Sequence, residues 1–184
     1  MTSADLAAIL SAIAAWLALA FSIYGVYAAR KALRISEIQE ERQKPDLVPY
    51  LVQSSYCFDE DDKNRIYAFL ISISNCSDSN NAIARADLTI TYETSSHALM
   101  SVKIDTDVSV GSSFPVDTDV PFRLPVRIDA HQTLSGWLFF RADRSIFHGH
   151  DIVGRRIVFS DTHGVEQALE IYLVKEIERE TVEV

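Results

Sequence analysis

No glycine-rich phosphate loop, no GxSxG elbow and no CxxC pair occurs in this chain. The backbone cradle of a nucleotide phosphate, the exposed serine of an acyl-transfer site and the paired thiols of a redox or zinc site are therefore missing as sequence signals. Cysteine is scarce, with only Cys57 and Cys76 in 184 residues. Two thiols do not make the framework that staples small extracellular domains, and they suit a reducing compartment. A Cys57–Cys76 bridge is expected only if the domain lies on the oxidising side. No Lys or Arg precedes Arg30. A cleaved signal peptide needs a basic start and a shorter apolar core, so the N-terminus does not read as one.

What the N-terminus does hold is LAAILSAIAAWLALAFSIYGVYAA, the 24 uncharged residues from Leu6 to Ala29. A bilayer-spanning helix takes about 20 apolar residues, so this run is long enough to cross with some tilt. Arg30, Lys31 and Arg34 come directly after it, against Asp5 alone before it. The positive-inside rule puts that basic collar at the cytoplasmic surface, with Tyr24 and Tyr27 near the headgroups. The expected location is the inner (cytoplasmic) membrane, single-pass, N-terminus outside and C-terminal domain in the cytoplasm.

The span has a stripe of small residues at spacings of three and four: Ala7, Ser11, Ala14, Ala18, Ser22, Gly25 and Ala29. Small side chains let transmembrane backbones approach closely, so the stripe predicts self-association. Beyond it, Arg30 to Lys44 is rich in helix formers and free of Gly and Pro, which predicts a helical stalk that Pro45 and Pro49 terminate. Fifteen helical residues would lift the C-terminal domain about 22 Å from the membrane.

After Pro49 the hydrophobic period falls to two. Strands are expected at 47–58, 65–75, 83–94, 97–104, 121–128, 133–141, 155–160 and 165–175, with Asp161–Gly164 as a hairpin turn. In the second of these, Tyr67, Phe69, Ile71 and Ile73 share one face. About eight short strands separated by turns predict an antiparallel β-sandwich, so the chain divides into anchor 1–29, stalk 30–46, sandwich 47–176 and charged tail 177–184. Residues 47–184 carry the whole net charge of −9, with 12 basic against 21 acidic side chains. That sign repels phosphate backbones and disfavours nucleic acid as a partner.

The span, the stalk ALRISEIQEERQKPDL, Asn75-Cys76-Ser77, Leu124-Pro125, Gly136-Trp137-Leu138-Phe139-Phe140 and Asp161-Thr162-His163-Gly164 together resemble uncharacterised bacterial single-pass membrane proteins. Those carry a cytosolic immunoglobulin-like sandwich, and some of their genes lie beside antiphage defence genes. The resemblance implies architecture and a loose context, and it transfers no catalytic residue.

Three clusters could carry chemistry. His148 and His150, with Asp161 and His163, have donors that suit zinc; as a polar loop and a turn they need no metal, and no metal or other cofactor is expected. The two DTDV segments, 105–108 and 117–120, lack the ligand spacing of an EF-hand and read as one mobile acidic loop. Asp59–Asp62 reads as a solvated hairpin tip. The expected function is thus not enzymatic. It is a membrane-anchored interaction or sensor module that recruits an unknown cytosolic protein and homo-oligomerises through its helix. The alternative is a membrane effector of an antiphage system that acts by clustering. Pore formers place polar groups in the span, and here only Ser11 and Ser22 are polar, which favours the first reading.

Overall fold

The computed structural model describes residues 3–44, 46–59, 62–115, 121–147 and 150–177, with backbone alone at 3–15, 20 and 113. The chain is mainly β, with one N-terminal helix and two sheets, and it divides into two compact units, Met1–Lys44 and Pro45–Val184.

The first unit is a single helix, α1, Ser3–Gln43. It runs without a break through the uncharged segment, the basic collar and the stalk, a length of about 60 Å. Strong helix formers dominate it, and its last turn carries Arg42, a favourable charge against the helix dipole. Among the described residues no helix is long and apolar enough to cross a membrane. The first part of the uncharged run, to Ala15, has no described side chains. Pro49 plays no part in ending the helix, since it lies within the first strand.

The second unit contains nine strands among the described residues: β1 Leu47–Phe58, β2 Asn64–Asn75, β3 Asn81–Glu93, β4 Leu99–Asp105, β5 Val126–Ile128, β6 Thr133–Asp143, β7 Asp151–Asp161, β8 Glu166–Glu170 and β9 Lys175–Glu176. One sheet has the order β6-β2-β1-β9 and the other β4-β3-β7-β8, with β5 also paired to β3. Inward side chains of both sheets form one core: Tyr67, Phe69, Ile71 and Ile73 of β2 lie with Leu138 and Phe140 of β6, and with Leu88, Ile157 and Phe159 from the second sheet. Phe69 meets Phe140 edge to face, ring centroids 5.9 Å apart.

β2 is buried on its other face as well. Ile66 and Ala68 join Cys57, Trp137 and Phe139 in a second, outer core, roofed by Val110 and Phe114. The roof comes from a 3-10 turn, Val108–Ser113, whose N-terminus Asp107 caps by accepting from the Ser109 N–H at 3.0 Å. Gly111 is there because a Cβ would come within 2.9 Å of the Phe139 ring. Over Val108–Phe114 this replaces the expected mobile acidic loop, while 117–120 lie outside the described residues. Val110 is fully buried, so the segment exchanges loop entropy for burial of an apolar face that β2 and β6 would otherwise expose.

Four strand expectations also change. His97 sits in a turn at φ 60, so β4 starts only at Leu99. Of 121–128 only β5 is a strand, and Pro121 makes a single bridge to Trp137. β7 begins at Asp151, four residues before the expected start. Residues 165–175 do not form one strand: the chain leaves the second sheet after β8, crosses through exposed Tyr172 and Leu173, and joins the first sheet as β9. It arrives parallel to β1, with Ser55 opposite Lys175, so the sheets are not wholly antiparallel. Cys57 and Cys76 are not joined: they lie at opposite ends of the β1–β2 hairpin, where Cys57 pairs with Ile66 and Leu47 with Asn75.

Candidate interaction surface

β1 pairs with β2 along its whole length, but on its other side β9 meets it only at Ser55 and Tyr56. Among the described residues no strand pairs with that side of Leu47–Gln53. Inward alternation buries Leu47 and half-buries Leu51, while Val48, Tyr50 and Val52 remain 49%, 68% and 54% exposed. The register slips between Leu51 and Gln53, a bulge that turns the strand where β9 takes over. At that point the Ser54 hydroxyl donates to the Leu173 carbonyl at 2.5 Å. Pro49 has no N–H, which a strand tolerates where that position faces away from its neighbour.

The outer face beside this edge has no apolar roof among the described residues. Its floor is a row of hydroxyls, with Ser74 and Thr133 2.8 Å apart and Ser135 donating to Ser72 at 3.1 Å. Between β1 and β8 lies an apolar notch lined by Leu47, Pro49, Val165 and Gln167 over Ile83 and Phe159, with room for little more than one water-sized group. Glu166 and Glu170 are exposed on the other face of β8, with Glu170 opposite Arg156 of β7.

The turn beyond β7 is built around Asp161. Its Oδ1 accepts the His163 and Val165 N–H groups, both at 2.8 Å, and its Oδ2 accepts from the Asn81 amide at 3.0 Å. Burial works to raise the Asp161 pKa, but the Asn81, Val165 and His163 donors outweigh it and hold the carboxyl below its usual value. On the outer face of the second sheet Asp87 is also buried. Burial again works upward, and Lys103 Nζ at 2.8 Å with Arg85 Nε at 2.6 Å overcomes it.

At the far end of β1 an aromatic and arginine cluster closes the core. The Arg65 guanidinium lies 4.8 Å from the Tyr56 ring and 5.2 Å from Phe58, while Arg144 covers Phe58 at 4.7 Å and pairs with Asp62. Tyr56 donates to Glu176 at 2.6 Å; burial first, then Glu176, pushes its phenol pKa up. The sequence showed no sign of this cluster, because it joins β1, β2, β9 and the turn after β6.

The candidate metal residues do not converge. His150 precedes β7, with its ring stacked 5.4 Å from Tyr92, and exposed His163 lies beyond the end of β7, about 30 Å of extended chain away. Asp161 spends its oxygens on the turn. His148 lies outside the described residues, and among those described no group of three or more His, Cys, Asp and Glu is placed to hold a metal ion. In the DTDV segments Asp105 accepts from Arg85 at 3.0 Å and Asp107 caps the 3-10 turn, while 117–120 lie outside the described residues. Asp59 accepts from the Asn64 amide at 3.3 Å, and residues 60 and 61 lie outside. In α1, Ala18, Ser22, Gly25, Ala29, Arg30, Lys31 and Arg34 are exposed; the side chains of Ala7, Ser11 and Ala14 lie outside what is described, as does the tail from 178.

No protein-family model matches this chain, and no curated protein does. Among solved structures it is similar to an ApaA candidate protein from Bordetella pertussis, at 10% identity over 70% of this chain and 89% of that one, with a TM-score of 0.35. A second, a structural-genomics target solved by X-ray, is 8% identical over 68% of this chain and 81% of that one, also with a TM-score of 0.35. Likenesses this distant carry nothing about activity, so function has to be read from the chain's own residues.

Proposed function

We propose that this chain is a membrane-anchored interaction module. Its helix crosses the inner membrane with the N-terminus outside, and Arg30, Lys31 and Arg34 lie at the cytoplasmic surface. An immunoglobulin-like β unit in the cytoplasm then recruits a protein partner, and the anchor helps copies of the chain associate. The observation that carries this reading is the 24-residue uncharged run inside one unbroken helix. Where its side chains are described, that run is apolar all round: Trp16 and Phe21 are 72% and 73% exposed, and Leu17, Leu19, Ile23 and Val26 are exposed too. A helix on the surface of a water-soluble domain has one apolar stripe, whereas one apolar on every side needs lipid or protein around it. The open β1 edge, with three exposed apolar side chains, supports recruitment over catalysis.

The test is the full chain with a reporter fused at Val184. It should stay in the membrane pellet through an alkaline carbonate wash and dissolve in detergent, with a cytoplasm-only reporter active. Release by carbonate would refute the anchor, and activity of a periplasm-only reporter would reverse its orientation.

A further inference from the structure

We infer that residues 172–177 form a detachable strap, which closes the first sheet beside Ser54–Cys57 and, when it lifts, uncovers the Cys57 thiol and the strand edge next to it. The inference concerns the β unit alone and goes beyond its reading as an interaction module.

The strap begins where the chain leaves the second sheet. Ile171 is buried and its N–H donates to the Arg155 carbonyl at 2.9 Å, a fixed point that serves as the hinge. Tyr172 and Leu173 follow at 85% and 84% exposed, so neither side chain holds the crossing in place. β9 is then two residues long, the shortest strand among the described residues, and both of its side chains are exposed. Its attachments to β1 are few. The Ser54 hydroxyl donates to the Leu173 carbonyl, the Ile177 N–H donates to the Tyr56 carbonyl at 2.9 Å, and the Tyr56 hydroxyl donates to Glu176 at 2.6 Å. Apolar anchorage comes from Val174 and Ile177, each half-buried. A segment with few buried apolar contacts and exposed hydrogen bonds opens locally at far lower cost than the whole fold.

What lies beside the strap gives its opening a consequence. In the parallel register Ser55 faces Lys175 and Tyr56 faces Glu176, which sets Ile177 next to Cys57. Cys57 is wholly buried, in the outer core that Ile177 flanks. Ser55 is 1% exposed, and its hydroxyl has no hydrogen-bond partner among the described residues. The closed strap thus keeps water from a hydroxyl that it does not itself satisfy, a cost that lifting relieves. Ile177 and the Tyr56–Glu176 bond favour the closed state; the orphan hydroxyl opposes it. Once the strap lifts, the β1 edge from Ser54 to Cys57 presents unpaired backbone groups, as an edge strand does, and Cys57 meets solvent from the side while Val110 and Phe114 stay over it.

The experiment uses the full chain in detergent with Cys76→Ser, which removes the exposed thiol and leaves Cys57 as the reporter. Modification by a thiol reagent is timed over a range of urea concentrations. At low urea the rate should be almost independent of urea, the sign of a small local opening, and only at higher urea should it rise steeply through global unfolding. Tyr56→Phe keeps the ring, which faces the inner core and not the thiol, and should raise the flat rate about tenfold. Ile177→Ala should raise it by a similar factor. Exchange of the Ile177 N–H should quicken in step in the Tyr56→Phe protein. Ile71→Val, deep in the inner core, should raise the steep limb and leave the flat rate as it was. Labelling that follows the steep dependence at every urea concentration, or a flat rate that Tyr56→Phe leaves unchanged, would overturn the inference. So would a flat rate that Ile71→Val raises as much as the strap variants do.

Discussion

The two units use the same residue types in opposite ways. In the β unit the large apolar side chains point inward: Tyr67, Phe69 and Phe139 are almost wholly withdrawn from solvent. In α1 the large side chains Trp16, Phe21, Tyr24 and Tyr27 are exposed. Burial of a large side chain stabilises a fold by about 1.5–3 kcal/mol, and that gain is available to β2 but not to the helix on its own. The β unit therefore carries the means of its own stability. Under the proposed function, lipid and a second helix would cover the exposed side chains of α1.

The largest effect that could break this contrast lies in the core. Phe69→Ala removes a fully buried ring that packs on both Tyr67 and Phe140, with centroids 6.1 and 5.9 Å away. Urea unfolding followed by tryptophan fluorescence should show a loss of about 3–5 kcal/mol. The comparable change Phe21→Ala in α1 should leave the unfolding of the β unit where it was. Equal losses would mean that the two units do not stabilise themselves separately.

A smaller effect is expected at the turn hub. Asp161→Ala strips three acceptor contacts from a buried position and should cost about 2–3 kcal/mol. The pH dependence has a definite sign. Because the folded pKa is depressed, the carboxylate's contribution is complete above the unfolded value of about 4 and disappears as pH falls through the lower folded value. Asp161→Asn should therefore flatten the acid limb of the stability curve, leaving the part due to Asp87, whose pKa is lowered too. An acid limb unchanged by the substitution would show that the turn contributes nothing to it.

How far these features were legible in sequence depends on distance along the chain. The inner face of β2 could be read directly, since Tyr67, Phe69, Ile71 and Ile73 alternate. Its outer face alternates just as well, but nothing local says that Val110 and Phe114, some forty residues on, will cover it. The acidic DTDV pattern disguised that cover as solvent-exposed loop. Residues 165–175 look like one strand because apolar residues continue through them, and the change of sheet after β8 is a tertiary event. His150 and His163 are close in number and far apart in space because β7 separates them as an extended strand. The bounds of β1 were legible to the residue, yet its open edge was not. Openness depends on where β9, more than a hundred residues later, happens to pair.

The smallest expected effect sharpens the contrast from the side of the helix. Ala18, Ser22, Gly25 and Ala29 are exposed at spacings that place them on one face of α1. If copies of the chain meet there, close approach of the backbones requires small side chains, because lipid supplies no hydrophobic drive to offset a poor fit. Replacing Ala18 and Gly25 together with leucine should weaken association by about 1–2 kcal/mol, and nothing within 4 Å of the Gly25 Cβ position in its own chain opposes the larger side chain. Leucines at Ile9 and Ile13, off the stripe, should leave association as it was. The quantity to measure is the monomer–dimer equilibrium in lipid, by energy transfer between labelled copies over a range of protein-to-lipid ratios. Equal association in every variant, or a parent chain that stays monomeric at all ratios, would reduce the stripe to an accident of alanine content and leave the exposed face of α1 to lipid alone.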